Sequence, residues 1–423
     1  MRLRLAAILL AAPVWAQNQT MNLTLAEAER LAIQNNPQFA AARLNAAAAY
    51  QVPLEYRASL APSFAGSLTG VGADSGSRLA AGGLNNPVVF NRLGSGLTVS
   101  QLLTDFGRTG HLAAAANLRA QAQDQLTETA RADILVATAR AYFGVLRAQA
   151  VLQVAQQTVS ARQLVSDQVT ALYNSKLKSQ LDVSFANVNL ADAQLLLSQA
   201  QNDLLSEQAT LATAIGLPGQ TFTLAEEAMP DPLPSQVAPL VQQALRDRPE
   251  LKDLRLEQSA AERFTRAEHA LFYPSVGVAG TAGFVPAGEA VIPGRYGAFG
   301  VNVSIPVFNG GLFRARQREA EFKAKAASEH VNDLANRVIR DVRVAYWNAT
   351  TAYDRVGLTA QLLKQAQLSL DLATERYNLG LSSIVELSQA QLNLTSAQIA
   401  SASARYEYQA QRVVVDYQIG ALR

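Results

Sequence analysis

Cysteine is absent from all 423 residues. That excludes disulfides, thiol chemistry and a lipidated cysteine at a cleavage site, so an exported form of this chain must draw its stability from packing or oligomerisation. Histidine and methionine are scarce, three of each. His111, His269 and His330 lie too far apart for metal-ligand spacing, and a methionine ladder for soft ions is unsupported. No metal or cofactor is expected. The net charge of +2 gives no electrostatic case for nucleic acid. No nucleophile, acid or base constellation suggests an enzyme. Long apolar runs are missing too. The compact one, Leu5 to Val14, follows Arg2 and Arg4 and precedes Trp15-Ala16, the pattern of a secretory signal cleaved after Ala16. It is too short to span a bilayer as a helix, and no later stretch is expected to do so. The mature chain is expected either to stay in the periplasm or to meet a membrane by strands.

What the sequence does have is a duplication. Ala141-Tyr142-Phe143 recurs as Ala345-Tyr346-Trp347, Tyr173-Asn174 as Tyr377-Asn378, and Ile215-Gly216 as Ile419-Gly420. Ala186, Asn189, Leu190 and Ala193 recur as Ala390, Asn393, Leu394 and Ala397, all at one 204-residue offset. Earlier matches, Pro62-Ser63 with Pro274-Ser275, are offset by 212 residues, so the first copy is longer between Pro62 and Leu97. This is far longer than a solenoid unit. It divides the mature chain into two half-proteins, 17–220 and 221–423.

Each half reads in the same order. A helix from Leu25 to Asn35 stops before Pro37, and a second is predicted over about Gln38 to Arg57, ended by Pro62. The period then changes to two. Strands are predicted at about 63–72 and 93–103, with Phe64, Gly66, Leu68 and Gly70 alternating with Ala65, Ser67, Thr69 and Val71. In the second half, strands are predicted at about 275–285 and 296–308, where Phe299, Val301, Val303, Ile305 and Val307 share a face. Ten-residue alternation fits a membrane strand, and it fits a soluble hairpin equally well. Proline-free helical hairpins follow, at about 106–215 and 311–419. An arm of sixty-odd residues would reach ~100 Å.

The second arm of each hairpin carries two apolar stripes. Val385, Leu392, Ile399, Tyr406 and Val413 form one, and Leu387, Leu394, Tyr408 and Val415 the other. The first copy repeats them as Leu181, Val188 and Leu195 and as Val183, Leu190, Leu197, Leu204 and Leu211. Residues two apart in a helix point ~200° from each other, whereas a dimeric coiled coil needs a single seam. Two seams predict a neighbour on either side, as in a wall of helices closed into a tube. A filled bundle is the alternative. The second arm is also shorter than the first, so the early helix is expected to stack end to end on it.

Taken together, Asn35-Asn36-Pro37, Leu271-Phe272-Tyr273-Pro274-Ser275, Val303-Ser304-Ile305-Pro306-Val307-Phe308-Asn309-Gly310-Gly311, Arg376-Tyr377-Asn378-Leu379-Gly380 and Ala390-Gln391 resemble the TolC-like outer membrane factors over nearly the whole mature chain. These are exit ducts of tripartite efflux pumps and type I secretion systems. Four strands cannot close a barrel alone, since eight is the usual minimum. The resemblance implies a homotrimer: a 12-stranded β-barrel in the outer membrane, four strands per chain, joined to a long α-helical barrel in the periplasm. It implies a belt of short elements from about Pro218 to Arg248 with the C-terminal end. It also implies three kinds of partner: a periplasmic adaptor, an inner-membrane transporter and outer membrane lipid.

The resemblance places a periplasmic gate at the hairpin turns, 173–182 and 377–386. Glu386 matches a carboxylate of a constricting ring, Tyr377 a gating tyrosine, and Asp182 its hydrogen-bonding partner. Such a ring narrows a pore and favours cations. The adaptor-contact tips are Asn174, Ser175, Lys176 and Leu177 in the first turn, and Leu379, Gly380, Leu381 and Ser382 in the second. Ser382 stands where an arginine of the gate can occur and Gln389 where a second acid can, so a closed state held by neutral hydrogen bonds is open. Asp182 and Glu386 also read as carboxylates favoured at a helix N-terminus. The expected function is passive conduction through an outer-membrane duct; a periplasmic structural coiled-coil protein is the competing class.

Overall fold

The protein is described by a computed structural model, over residues 21–74, 76–78, 88–288 and 290–422. The expected signal segment and most of the first strand-connecting loop lie outside them. Two compact units divide the chain, and each draws segments from both sequence repeats. The first comprises residues 1–37, 131–241 and 341–423; the second comprises 38–130 and 242–340.

In the first unit, β1 (Met21–Leu23) pairs in parallel with β4 (Phe222–Leu224). Helix α1 (Leu25–Asn35) starts on a reciprocal cap: Thr24 Oγ1 accepts from Glu27 N at 3.3 Å, and Glu27 Oε2 accepts from Thr24 N at 3.0 Å. α5 (Gln180–Ile215) ends at Gly216, whose φ of +78° lets Leu217 N return to Ala212 O at 2.9 Å. A Cβ on Gly216 would sit 2.8 Å from the Asn35 Cβ, so conformation and close packing both demand glycine. Asn35 Nδ2 donates to Ile215 O, and α2 (Pro37–Ala49) begins two residues later.

The core of this unit is a buried apolar cluster around Tyr142, Val145, Leu211, Ile215 and Phe222. Tyr142 satisfies its buried hydroxyl by sharing its one proton between Leu23 O and Ala225 O, at 3.0 and 2.6 Å. Its repeat counterpart Tyr346 donates to Pro234 O, and Tyr408 to Asp231 O. The proline-rich segment after β4 is thereby pinned at several carbonyls.

Two 67-residue helices, α4 (Arg108–Asn174) and α8 (Leu312–Asn378), each turn back into a shorter partner, α5 or α9 (Ile384–Gln418). One stretch of α4 is apolar enough over 18 residues to meet a membrane-helix threshold, contrary to the sequence expectation. Just over half of it is buried, as the packed face of a core helix is.

The two stripes of the short arms have opposite fates. Val183, Leu211, Leu387, Leu394, Tyr408 and Val415 are buried within the chain. Leu181, Val188 and Leu195 are 65%, 58% and 66% exposed, and Val385 and Leu392 are about half exposed. A filled bundle would bury both rows. Further along the outer row of α9 Tyr406 is buried and Val413 half-buried, so that row is exposed only in its part nearer the turn.

In the second unit, α2 (Pro37–Ala49) and α3 (Val52–Ala58) replace the single predicted helix. Pro53 explains the break, because proline lacks the N–H and its ring meets the carbonyl four residues back. Tyr50 Oη and Asp124 meet at 2.5 Å, and Thr127 Oγ1 donates to Ala42 O, tying α2 and its end to the part of α4 around residues 124–127. Helices α6 (Ala238–Asp247) and α7 (Pro249–His269) follow the pinned segment. Four antiparallel strands complete the unit, β2 (Ser63–Val71), β3 (Arg92–Thr104), β5 (Ser275–Gly288) and β6 (Arg295–Ser304), in the order β2-β3-β5-β6. β6 stops earlier than its alternation suggests. Ile305 and Val307 continue the apolar period, but Pro306 has no N–H to give a ladder.

Candidate functional site: hairpin tips and strand faces

The two hairpin turns share a backbone. Lys176 has φ +61° and its repeat counterpart Gly380 +74°. Both turns return an N–H to the end of the long arm: Leu177 N to Leu172 O at 2.9 Å and Leu381 N to Arg376 O at 2.8 Å. Glycine holds this left-handed position without strain, whereas lysine does so at a cost of about 1 kcal/mol.

Their side chains differ. In the first turn Ser179 caps α5, and Asp182 closes a reciprocal cap by accepting from Ser179 N at 2.9 Å and Ser179 Oγ at 2.7 Å. The backbone bond first, then the hydroxyl bond, hold the Asp182 carboxyl below its ordinary pKa. In the second turn Ser383 caps α9 by accepting from Glu386 N at 3.4 Å. The Glu386 carboxylate meets the Nε of Arg376 at 3.4 Å, and the Arg376 guanidinium also reaches Leu381 O. The sequence reading missed Arg376 as a partner. An arginine one turn before the tip, ten residues ahead of an acid one turn after it, is the signal that would have found it.

Tyr377 is buried against Val169, Val183, Ala186, Ile384 and Leu387, while its counterpart Tyr173 is exposed. Lys178 Nζ lies 4.1 Å from the Tyr377 ring centroid. The Tyr377 hydroxyl is buried with no hydrogen-bond partner among the described residues. Within one chain, then, Tyr377 and Glu386 are gathered at one turn and Asp182 bonds to its own cap. Of the tip residues, Asn174, Ser175, Lys176, Leu379, Gly380 and Leu381 are exposed, and Leu177 is 70% exposed. Ser382 is less so, with a buried, unpartnered hydroxyl.

Beyond the turns, polar side chains join the arms alongside apolar contacts such as that of Ala366 with Leu394 and Ala397. Arg162 and Ser166 of α4 are buried, and Arg162 donates to Gln391 while Ser166 donates to Asn187 Oδ1 at 2.8 Å. Asn189 Nδ2 donates to Ser388 Oγ at 2.7 Å. Burial lowers the pKa of Arg162, with Asp192 acting the other way. The apolar period gave no sign of this seam.

Alternation sorts the four strands into two faces. By register, Phe64, Leu68, Leu97, Val99, Phe284, Phe299, Val301 and Val303 lie on one, and Ser63, Ser67, Thr69, Thr98, Ser100, Thr281, Asn302 and Ser304 on the other. Phe64, Leu68 and Phe299 are 67%, 78% and 75% exposed. One face is dressed for hydrocarbon and the other for water, as in membrane barrels. Among the described residues no His, Asp or Glu cluster has the makings of a metal site.

The sequence model for "Outer membrane efflux protein" matches residues 29–217 and again 240–420. The chain is 26% identical over 422 residues to the outer membrane protein TolC of Salmonella enteritidis, covering 94% of this chain and 83% of that one. It is 24% identical to the outer membrane efflux protein BepC of Brucella suis, covering 74% and 68%. Among solved structures, CusC superposes with a TM-score of 0.82 at 19% identity, covering 95% of this chain and 93% of that chain. VceC of Vibrio cholerae does so at 0.78 and 20%, covering 94% and 96%. The fold, the duplicated match and the two-faced sheet agree: this chain belongs to the outer membrane efflux protein family and is an outer-membrane channel of efflux or secretion systems.

Proposed function

We propose that three copies of this chain assemble into a passive export duct that carries no catalytic site. The observation that carries this reading is the pair of unpartnered surfaces. A four-stranded sheet has two open edges, β2 and β6, and cannot present an apolar face to lipid without closing on other copies. The outward stripe of α5, with Leu181, Val188 and Leu195, calls for a second helical neighbour that its own chain does not supply. Three copies give a 12-stranded barrel seated in outer membrane lipid, with the long hairpins lining a helical tunnel. The sequence repeats 17–220 and 221–423 act as its half-protein units.

The hairpin turns form the closable end. Tyr377, Glu386 and Asp182 line the gate, with Arg376 holding Glu386 at the second turn. The exposed tips, Asn174 to Leu177 and Leu379 to Ser382, dock a periplasmic adaptor that couples the duct to an inner-membrane transporter. Reconstitution in planar bilayers tests the duct. Discrete conductance steps from a heat-modifiable oligomer recovered in the outer membrane are the expected result. Recovery of a soluble monomer without conductance would replace the duct with the structural coiled-coil reading.

A further inference from the structure

The sheet carries formal charge at one end only. Its four strands contain no Asp or Glu, and their only Lys or Arg residues are Arg92 and Arg295, which open β3 and β6. Register puts both at the loop end, with Arg92 opposite Val71 and Gly288 and Arg295 opposite Phe284. Alternation then separates them. Arg295 shares the apolar face with Phe284 and Phe299, whereas Arg92 shares the hydroxyl face with Ser67, Thr69 and Tyr296.

Tyr296 lies flat across that face. A Cβ on Gly283 of β5 would sit 2.2 Å from the tyrosine Cζ, and a Cβ on Gly96 of β3 would sit 2.2 Å from its hydroxyl oxygen. Two glycines in register leave room for the ring to span both strands. Beside it is a cavity of about 400 Å³ lined by Ser67, Thr69, Phe90, Arg92, Ile292 and Tyr296 among others, with no carboxylate among the described residues of its wall. The wall thus offers a permanent cation, an aromatic side chain, apolar contacts and two hydroxyls within one concave patch.

We infer that this cavity is a contact site for aromatic organic anions at the loop end of the duct. A guanidinium takes a carboxylate or sulfonate through paired N–H donors. The Tyr296 ring and the Phe90 and Ile292 side chains receive the aromatic body, and Ser67 and Thr69 supply hydroxyls to a bound polar edge. Repeated in each copy, Arg92 makes a basic ring on the water-facing side, which favours anions. This inference rests on the membrane-channel reading.

The test is current block in planar bilayers holding the full-length wild-type channel, with probes added on the loop side. 2-Naphthalenesulfonate is expected to reduce the current in a concentration-dependent way. Sulfate, an anion without a ring, and 2-naphthylmethanol, a ring without a charge, are expected to have little effect at the same concentration. Arg92→Gln should weaken the naphthalenesulfonate block at least tenfold, whereas Arg295→Gln, on the other face, should leave it within twofold. Thr69→Asp, which sets a carboxylate beside Arg92, should weaken it as Arg92→Gln does and serves if that variant does not assemble. Absence of block in the wild type overturns the site, as does equal block by the neutral probe or block unchanged in Arg92→Gln. Failure to see any conductance steps strikes instead at the channel reading.

Discussion

The first and second hairpin turns have the same backbone and different chemistry. The first is self-contained: Asp182 is spent on its own cap, Tyr173 faces solvent, and a lysine occupies the left-handed position. The second is cross-braced: Tyr377 is buried among side chains of three other helices, Glu386 reaches Arg376 on the other arm, and glycine relieves the turn. After duplication the fold preserved the turn and reassigned the side chains. At the turns themselves, among the described residues, the second copy has the carboxylate that bridges its two arms, which supports the proposal that a closed state is held there.

Substitutions at matched positions should separate the copies. The largest expected difference is between the tyrosines. Tyr377→Ala removes a buried ring and should destabilise the tip by about 3 kcal/mol, while Tyr173→Ala at an exposed site should cost less than about 0.5 kcal/mol; hydrogen exchange of the turn amides reads both. Next is the cap. Asp182→Ala should weaken the start of α5 by about 1 kcal/mol. Because the Asp182 pKa is lowered on folding, this contribution is present above the unfolded value, near 3.8, and fades as pH falls through the lower folded one. Exchange measured at pH 7 and pH 3 should show the difference between wild type and Asp182→Ala shrink at the lower pH. The smallest effect is Lys176→Gly, which should stabilise the first turn by a few tenths to about 1 kcal/mol. Gly380→Lys should cost a similar amount, both by thermal denaturation.

Asp253 gives a contrast outside the turns. Burial first, then Glu257 and Glu250, push its carboxyl up to about 6. A raised acid pKa costs stability as pH climbs from the unfolded value of 3.8 to the folded one near 6, and the cost is then constant. After allowance for solvent screening, Asp253→Asn should therefore stabilise the protein by about 1 kcal/mol at pH 7.5 and by nearly nothing at pH 4, seen as a shift in Tm.

Elements whose pattern is periodic were legible in the sequence. Alternation at Phe64 to Val71 and the proline-free runs after Phe106 and Gly311 correspond to β2, α4 and α8, because period follows directly from backbone geometry. The doubled stripes predicted a neighbour on either side of α5; within one chain the row of Val183 has one and the row of Leu181 is left exposed. Misreadings came where a single residue overrides a period. Pro53 splits α2 from α3, and Pro306 ends β6 while Ile305 and Val307 keep its rhythm. At the candidate gate, the resemblance drew attention to Tyr377, Glu386 and Asp182. It did not reveal that Arg376 meets Glu386, since that contact depends on the angle between two arms and not on spacing along either. The buried Arg162–Gln391 and Asn189–Ser388 bonds were hidden for the same reason.

The claim that the second turn holds the duct closed is tested most directly by single-channel conductance of two conservative variants in planar bilayers. Glu386→Gln removes the charge that Arg376 holds, and should raise conductance or open probability severalfold. Asp182→Asn, whose carboxylate is occupied by Ser179, should change it by less than twofold. Equal effects of the two variants, or an unchanged current in Glu386→Gln, would contradict the account.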